Sequence, residues 1–282
     1  MPDVSYDAII SIDGLSVPYS SIDISPEMLN NINQPLKPVG PVESYTGPMR
    51  ISGTITLPMY GTGAGSVVFF KKLCVSTTGH DLLVYYGVNG RIESYIVAIK
   101  SATFTCTPGS YLSCTLNVIG FRLDYLNSFS SRYTLNDVAV NSLIPFFRTS
   151  IANNHYPYID SNKVSGWSLT IERQWEEYWY WNYTLDDFLL RLPQYLMPSN
   201  IGVSGSFTLI DPAPVAEYSS ILFNMGQYFS DNNFIEAHKT QIIGMPSPIT
   251  GPHNRIVQNI KFITLSNGSD GYIDGQFNGL IS

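Results

Sequence analysis

Charge is the scarcest ingredient of this chain. Asp, Glu, Lys and Arg together make up 13% of its 282 residues, and 15 basic against 22 acidic side chains leave a formal net charge of −7. A protein that grips nucleic acid needs clustered cations to displace counterions from phosphate, and no basic stripe occurs here, so tight nucleic-acid binding is not expected. Cysteine is rarer still: Cys74, Cys106 and Cys114 are odd in number and do not make the framework of a disulfide-stapled fold. The histidines, His80, His155, His238 and His253, fall in separate segments without the spacing that zinc requires. No apolar run approaches the roughly 18 residues of a membrane span. Residues 1–5 carry neither a basic segment nor the apolar core of a leader, so we expect a soluble protein made in the cytosol.

Catalytic signatures are missing too. No nucleophile elbow, P-loop or His-Glu-x-x-His stretch is present. Gly61-Thr62-Gly63-Ala64-Gly65 lies between a predicted strand and a predicted helix, as a dinucleotide loop would. It lacks the third glycine at the required spacing, follows Pro58 and belongs to an antiparallel pattern. The adjacent carboxylates Glu176-Glu177 and Asp186-Asp187 point to opposite faces of a strand or serve a helix dipole rather than sharing a proton. Neither an enzyme nor a cofactor or metal is therefore expected.

The chain does have 19 Tyr, 22 Gly and 18 Pro, a balance of β-formers and turn residues. Its clearest stretch is residues 99–120. Ala102, Phe104, Leu112 and Leu116 alternate with Ser101, Thr103, Ser113 and Thr115, which predicts a half-buried antiparallel hairpin with one hydroxyl face. A three-residue loop at Pro108-Gly109-Ser110 pairs Phe104 with Cys114 and Cys106 with Leu112. Cys106 and Cys114 then sit diagonally, about 7–8 Å apart, too far for a disulfide, so all three thiols should be reduced.

Two parts of the chain recur. Residues 260–281 match the hairpin at an offset of 161 (260 − 99), with Ile260-Lys261, Thr264, Tyr272 and Asn278 answering Ile99-Lys100, Thr103, Tyr111 and Asn117. This alignment places Ile263, Leu265, Ile273 and Phe277 on the apolar face and Phe262, Thr264, Asp274 and Gln276 on the polar one. Ile51-Ser52-Gly53-Thr54-Ile55-Thr56-Leu57 recurs as Val203-Ser204-Gly205-Ser206-Phe207-Thr208-Leu209 at an offset of 152 (203 − 51). Trp167, Leu169 and Ile171 repeat the face of the first strand, Ala8, Ile10 and Ile12. Short covering helices are predicted at 26–31, 66–74, 185–192 and 217–225. The expected fold is mainly β, with two tandem antiparallel sandwich or barrel modules, residues 1–127 and 166–282, joined by an ordered connector, residues 128–165. The aromatic run Trp175, Tyr178, Trp179, Tyr180, Trp181, Tyr183 reads as a subunit interface or core strand, with a carbohydrate platform as the alternative.

A tandemly duplicated β module of this organisation, carried by strands such as 51–57 and 99–120, resembles the tail-tube family of tailed phages and contractile injection machines. The resemblance implies a structural virion protein, assembled in the host cytoplasm into the tail, whose modules line a channel through which DNA passes without specific binding. It implies three chains per pseudo-six-fold ring, rings stacking into a tube, other tail or baseplate proteins as partners, and no membrane. On that reading Ser101, Thr103, Ser113, Thr115, Asp274 and Gln276 are lumen candidates, and Trp175, Tyr178, Trp179 and Trp181 are subunit-interface candidates. A baseplate hub or distal-tail adaptor built from the same modules, and a glycan- or receptor-binding β-sandwich, are the alternatives.

Overall fold

The computed structural model describes residues 8–13, 15–17, 21–28, 31–33, 43–45, 49–58, 77–86, 91–107, 113–126, 151–152, 164–178, 193, 195–210, 220–224, 233–244, 257–265 and 273–277. Among them every regular element is a β-strand, every described pairing is antiparallel, and there is no helix. The sequence-predicted segments 61–65, 66–74 and 185–192 and the hairpin loop at 108–110 lie outside the described residues.

The organising hairpin consists of β8 (Arg91–Cys106) and β9 (Ser113–Leu126) and is longer than its alternation suggests. Phe104 faces Cys114, Thr103 faces Thr115 and Ala102 faces Leu116, the register expected from the two faces. Ala102, Phe104, Cys106, Cys114 and Leu116 are buried, whereas Ser101, Thr103, Thr105, Ser113 and Thr115 are half-exposed. The ladder skips Lys100 between Ile99 and Ser101, a bulge. Strand β6 (Met49–Pro58) pairs with β9, and β3 (Ser21–Met28) pairs with β6. The series is β3-β6-β9-β8. The helix expected at 26–31 is corrected, because Pro26 lies in β3. An edge strand tolerates a residue without an N–H, and Ile22 and Ile24 alternate onto the core with the period of a strand.

The same order recurs further on. Strand β11 (Val164–Tyr178) pairs with β12 (Tyr195–Ile210), β12 with β16 (Val257–Thr264), and β16 with β15 (Thr240–Gly244), giving β11-β12-β16-β15. Gly53 faces Ile24 and Val118, and Gly205 faces Leu169 and Phe262, so the two glycines occupy one position in the two series. A Cβ on Gly205 would lie 2.5 Å from the Phe262 ring and 2.6 Å from the Ser168 carbonyl oxygen, and one on Gly53 would meet the Asp23 backbone. Backbone cannot retreat as a flexible side chain can. Gly205→Ala should therefore lose about 1–3 kcal/mol, read as a lowered denaturant midpoint at unchanged slope. A wild-type midpoint would contradict this packing. The bulge recurs as well: β15 skips Ile243 between Ile242 and Gly244, opposite Phe262 and Lys261.

These pairings correct the sequence alignment of residues 260–281. Strand β16 takes the place of β9, not of β8, and β11 takes the place of β3, not of the first strand. Phe262 is buried at 0% exposure, while Ile263 is half-exposed and Leu265 is exposed, the reverse of the expected faces. The physical reason is the space left by Gly205, which admits the Phe262 ring.

Additional strands complete the core. Strand β7 (His80–Tyr86) pairs with the N-terminal half of β8, and β1 (Ala8–Ile12) pairs with β7 and with β2 (Leu15–Val17). A separate sheet has the order β10-β13-β14-β17, made of β10 (Ile151–Ala152), β13 (Ser220–Asn224), β14 (Asn233–His238) and β17 (Ile273–Phe277). Strand β10 falls inside the segment read as a connector. The helix expected at 217–225 is corrected too. Its short apolar run fits either period, and the strand form pairs on both edges while Ile221 enters the core. One cluster joins Ile10, Leu82, Ile55, Phe104, Leu169, Phe207, Ile260, Ile221 and Ala237. A two-stranded ribbon of β4 (Asn31–Asn33) and β5 (Glu43–Tyr45) continues from β3 and β6.

Candidate channel face and strand junction

The two series meet edge to edge. The C-terminal half of β8 pairs with β11, Phe104 facing Leu169 and Ala102 facing Ile171, so eight strands run unbroken from β3 to β15. One side of this sheet faces the core. On the other side a single row crosses all eight strands: Ser21, Thr56, Thr115, Thr103, Thr170, Ser204, Ile263, Gln241. Six consecutive positions in it carry hydroxyls. Parallel rows supply Ser101 and Asn117, and then Ser113, Thr105, Ser168 and Ser206.

Hydroxyls on neighbouring strands satisfy one another. Thr103 and Thr170 are 3.1 Å apart across the junction, Ser168 and Ser206 are 3.0 Å apart, and Asn117 Nδ2 donates to Ser101 Oγ at 2.6 Å. Such bonds fix rotamers and leave a neutral, wettable surface. Charge on this side is sparse: Asp23, Glu27 and Glu172 against Lys261, all exposed, and half-buried Arg50, which faces Glu27 in the ladder.

Four of the six lumen candidates, Ser101, Thr103, Ser113 and Thr115, come together on this face. Asp274 and Gln276 do not join them. They lie on β17, opposite Glu236 and Phe234 of β14, in the separate sheet. Thr56, Thr105, Asn117, Ser168, Thr170, Ser204 and Ser206 were not selected from the sequence, although the alternation Ser168-x-Thr170 and Ser204-x-Ser206-x-Thr208 carries the same signal.

Of the interface candidates, Trp175 is half-buried inside the chain. Beyond a bulge between Arg173 and Trp175, the β11–β12 hairpin extends as an arm across the β8–β9 hairpin. There the Trp175 Nε1–H donates to the Ile99 carbonyl at 2.9 Å, and Trp175 and Leu196 pack with Ala98 and Ile119. Arg50 donates to Glu177 Oε2 at 2.8 Å from the same arm. Tyr178 is exposed at the arm's end, beside Tyr195, while Trp179 and Trp181 lie outside the described residues.

Cys106 and Cys114 are buried and neither is in a disulfide, as expected, and Cys74 is outside the described residues. His80 is buried with Nδ1 2.7 Å from Asp13 Oδ2. Asp13 also accepts from the Asp81 N–H through its other oxygen, an arrangement that ties the β1–β2 turn to β7. His238 ends β14, and His155 and His253 are outside the described residues. No protein-family model matches this sequence, and no curated protein matches it significantly.

Proposed function

We propose that this chain is a tube subunit: two copies of one antiparallel β-sandwich module, carried by β3-β6-β9-β8 and β11-β12-β16-β15, that assemble into stacked rings around a DNA channel lined by the hydroxyl face. The observation that carries this reading is the β8–β11 junction. It joins the last strand of one series to the first strand of the next. Among the described residues the two outer strands of the eight-stranded sheet are of the same two kinds, β3 the counterpart of β11 and β15 that of β8. The equivalents of Ala102–Cys106 lie past Gly244, outside the described residues. A head-to-tail contact that repeats the junction between chains would satisfy both edges, and it closes when each module turns by about 60°. Three chains of eight strands then make a barrel of about 24 strands. A hydroxyl lining with few cations suits a conduit, because sliding DNA finds water and neutral acceptors rather than phosphate anchors.

Electron microscopy of the purified protein at high concentration, with rotational averaging, tests the reading. Rings with three-fold symmetry and a six-fold-like outline, stacking into tubes, are expected. Monomers throughout would refute it. Six chains per ring would refute the pairing of unequal modules.

A further inference from the structure

Exposed large apolar side chains among the described residues fall in two places. Tyr178, Tyr195 and Met197 lie on the arm, and Ile243, Val257 and Leu265 lie on or beside β15 and β16, with Ile243 58% and Leu265 48% exposed. In the first series the matching ground is covered. Ala98 faces Ile119 just before the Lys100 bulge, as Gln241 faces Ile263 just before the Ile243 bulge. Ala98 and Ile119 are 0% and 8% exposed because Trp175 and Leu196 of the arm sit on them. Ile263 is only half-buried, and no described residue lies over Ile243 or Leu265 in that way.

The first series has its own arm. Strands β3 and β6 are the counterparts of β11 and β12, and both hairpins break register at the same place: beyond Met28–Met49 in one and beyond Arg173–Ile201 in the other. After the break the first hairpin continues as β4 and β5, which pair only with each other among the described residues. The arm of the second series covers the first within one chain, so the arm of the first has its equivalent floor on the second series of another copy.

We propose that the apolar patch Ile243, Ile263 and Leu265 is the docking surface for residues 31–45 of a second copy of this chain. The inference rests on the head-to-tail ring, and it adds a strap that crosses each intermolecular junction as the β11–β12 arm crosses the internal one. The sequence of the strap suits an apolar floor, with Ile32, Leu36, Val39, Val42 and Tyr45 separated by Pro35, Pro38 and Pro41. Those prolines lower the entropy lost on docking.

A photo-crosslinking measurement decides it. Leu265→Cys in a Cys74→Ser background is labelled with benzophenone maleimide, the buried Cys106 and Cys114 staying unlabelled, and is mixed with isotopically heavy chain before assembly and illumination. Mass spectrometry should place the crosslink between light and heavy chains, within residues 29–48. In parallel, Ile243→Glu with Leu265→Glu should weaken ring association on the order of tenfold or more in analytical ultracentrifugation while leaving the monomer folded. Intact rings with crosslinks elsewhere would overturn the strap and leave the tube reading standing. Rings of unchanged affinity that no longer stack would assign the patch to ring-to-ring contact, which also overturns it. A wild-type chain that never leaves the monomer would overturn both.

Discussion

Phe104→Ala should lose about 3–5 kcal/mol of unfolding free energy, the upper range for a buried aromatic, out of a total of about 5–15 kcal/mol for a domain. Phe104 is 0% exposed and sits where three strands meet, opposite Cys114 on β9 and Leu169 on β11. Truncation removes its transfer energy and opens a cavity that two paired neighbours on rigid strands cannot collapse to fill. Because Leu169 belongs to the second series, the damage should spread across the junction. Urea titration followed by tryptophan fluorescence reads the second series through Trp167, buried on β11, and the arm through Trp175. An altered midpoint there from a substitution on β8 is the expected result, with Phe104→Leu recovering part of the loss. A loss below about 1 kcal/mol would mean that the junction is not packed as described.

The second large effect concerns the hydroxyl row. Thr103→Lys, Thr115→Lys and Thr170→Lys together place three cations in adjacent positions on neighbouring strands, about nine in the proposed ring of three chains. The positions are half-exposed, so the amines reach water along their stems and the fold should survive. On the tube reading proposed above, DNA moving through the assembly should now be held. Particles carrying the triple variant should eject their genome slowly, with the delay easing as salt rises, whereas a triple Thr→Ser variant should behave as wild type. Ejection at the normal rate, with assembly verified, would remove these positions from the channel wall.

The legible parts of this fold share a cause. The β8–β9 register could be read because strict alternation leaves one solution once both faces are assigned, and the repeated glycine strand could be read because its residue types recur nearly in full. The match of residues 260–281 misled because scattered identities, such as the Ile-Lys pairs, outweighed parity. What the two series share is Leu116 and Val118 against Ile260 and Phe262, alike in burial and different in kind. The helices expected at 26–31 and 217–225 failed because apolar runs of that length fit both periods, and pairing partners decided between them. Nothing local announces that Arg50 will meet Glu177, 127 residues away, or that the Trp175 indole will find the Ile99 carbonyl. The hydroxyl face was half visible: its first hairpin was read, and its continuation onto β11 and β12 required knowing that β8 and β11 are neighbours.

The bulge at Lys100 acts as a reading-frame shift in space. A strand written without it would send Ser101 and Thr103 inward and Ala102 and Phe104 outward relative to Ala98, because side chains alternate without exception. One inserted residue lets β8 present Ala98 and Thr103 on the same side although they are an odd number of positions apart. It recurs in the second series at Ile243: Ile stands at the position of Lys100 and Gly244 at that of Ser101, yet the count is the same. Removing the bulged residue itself, Lys100 or Ile243, would leave its neighbours paired as they are and both faces in register. That deletion should therefore be tolerated far better than a one-residue deletion in the regular part of β8, which would turn one end of the strand over.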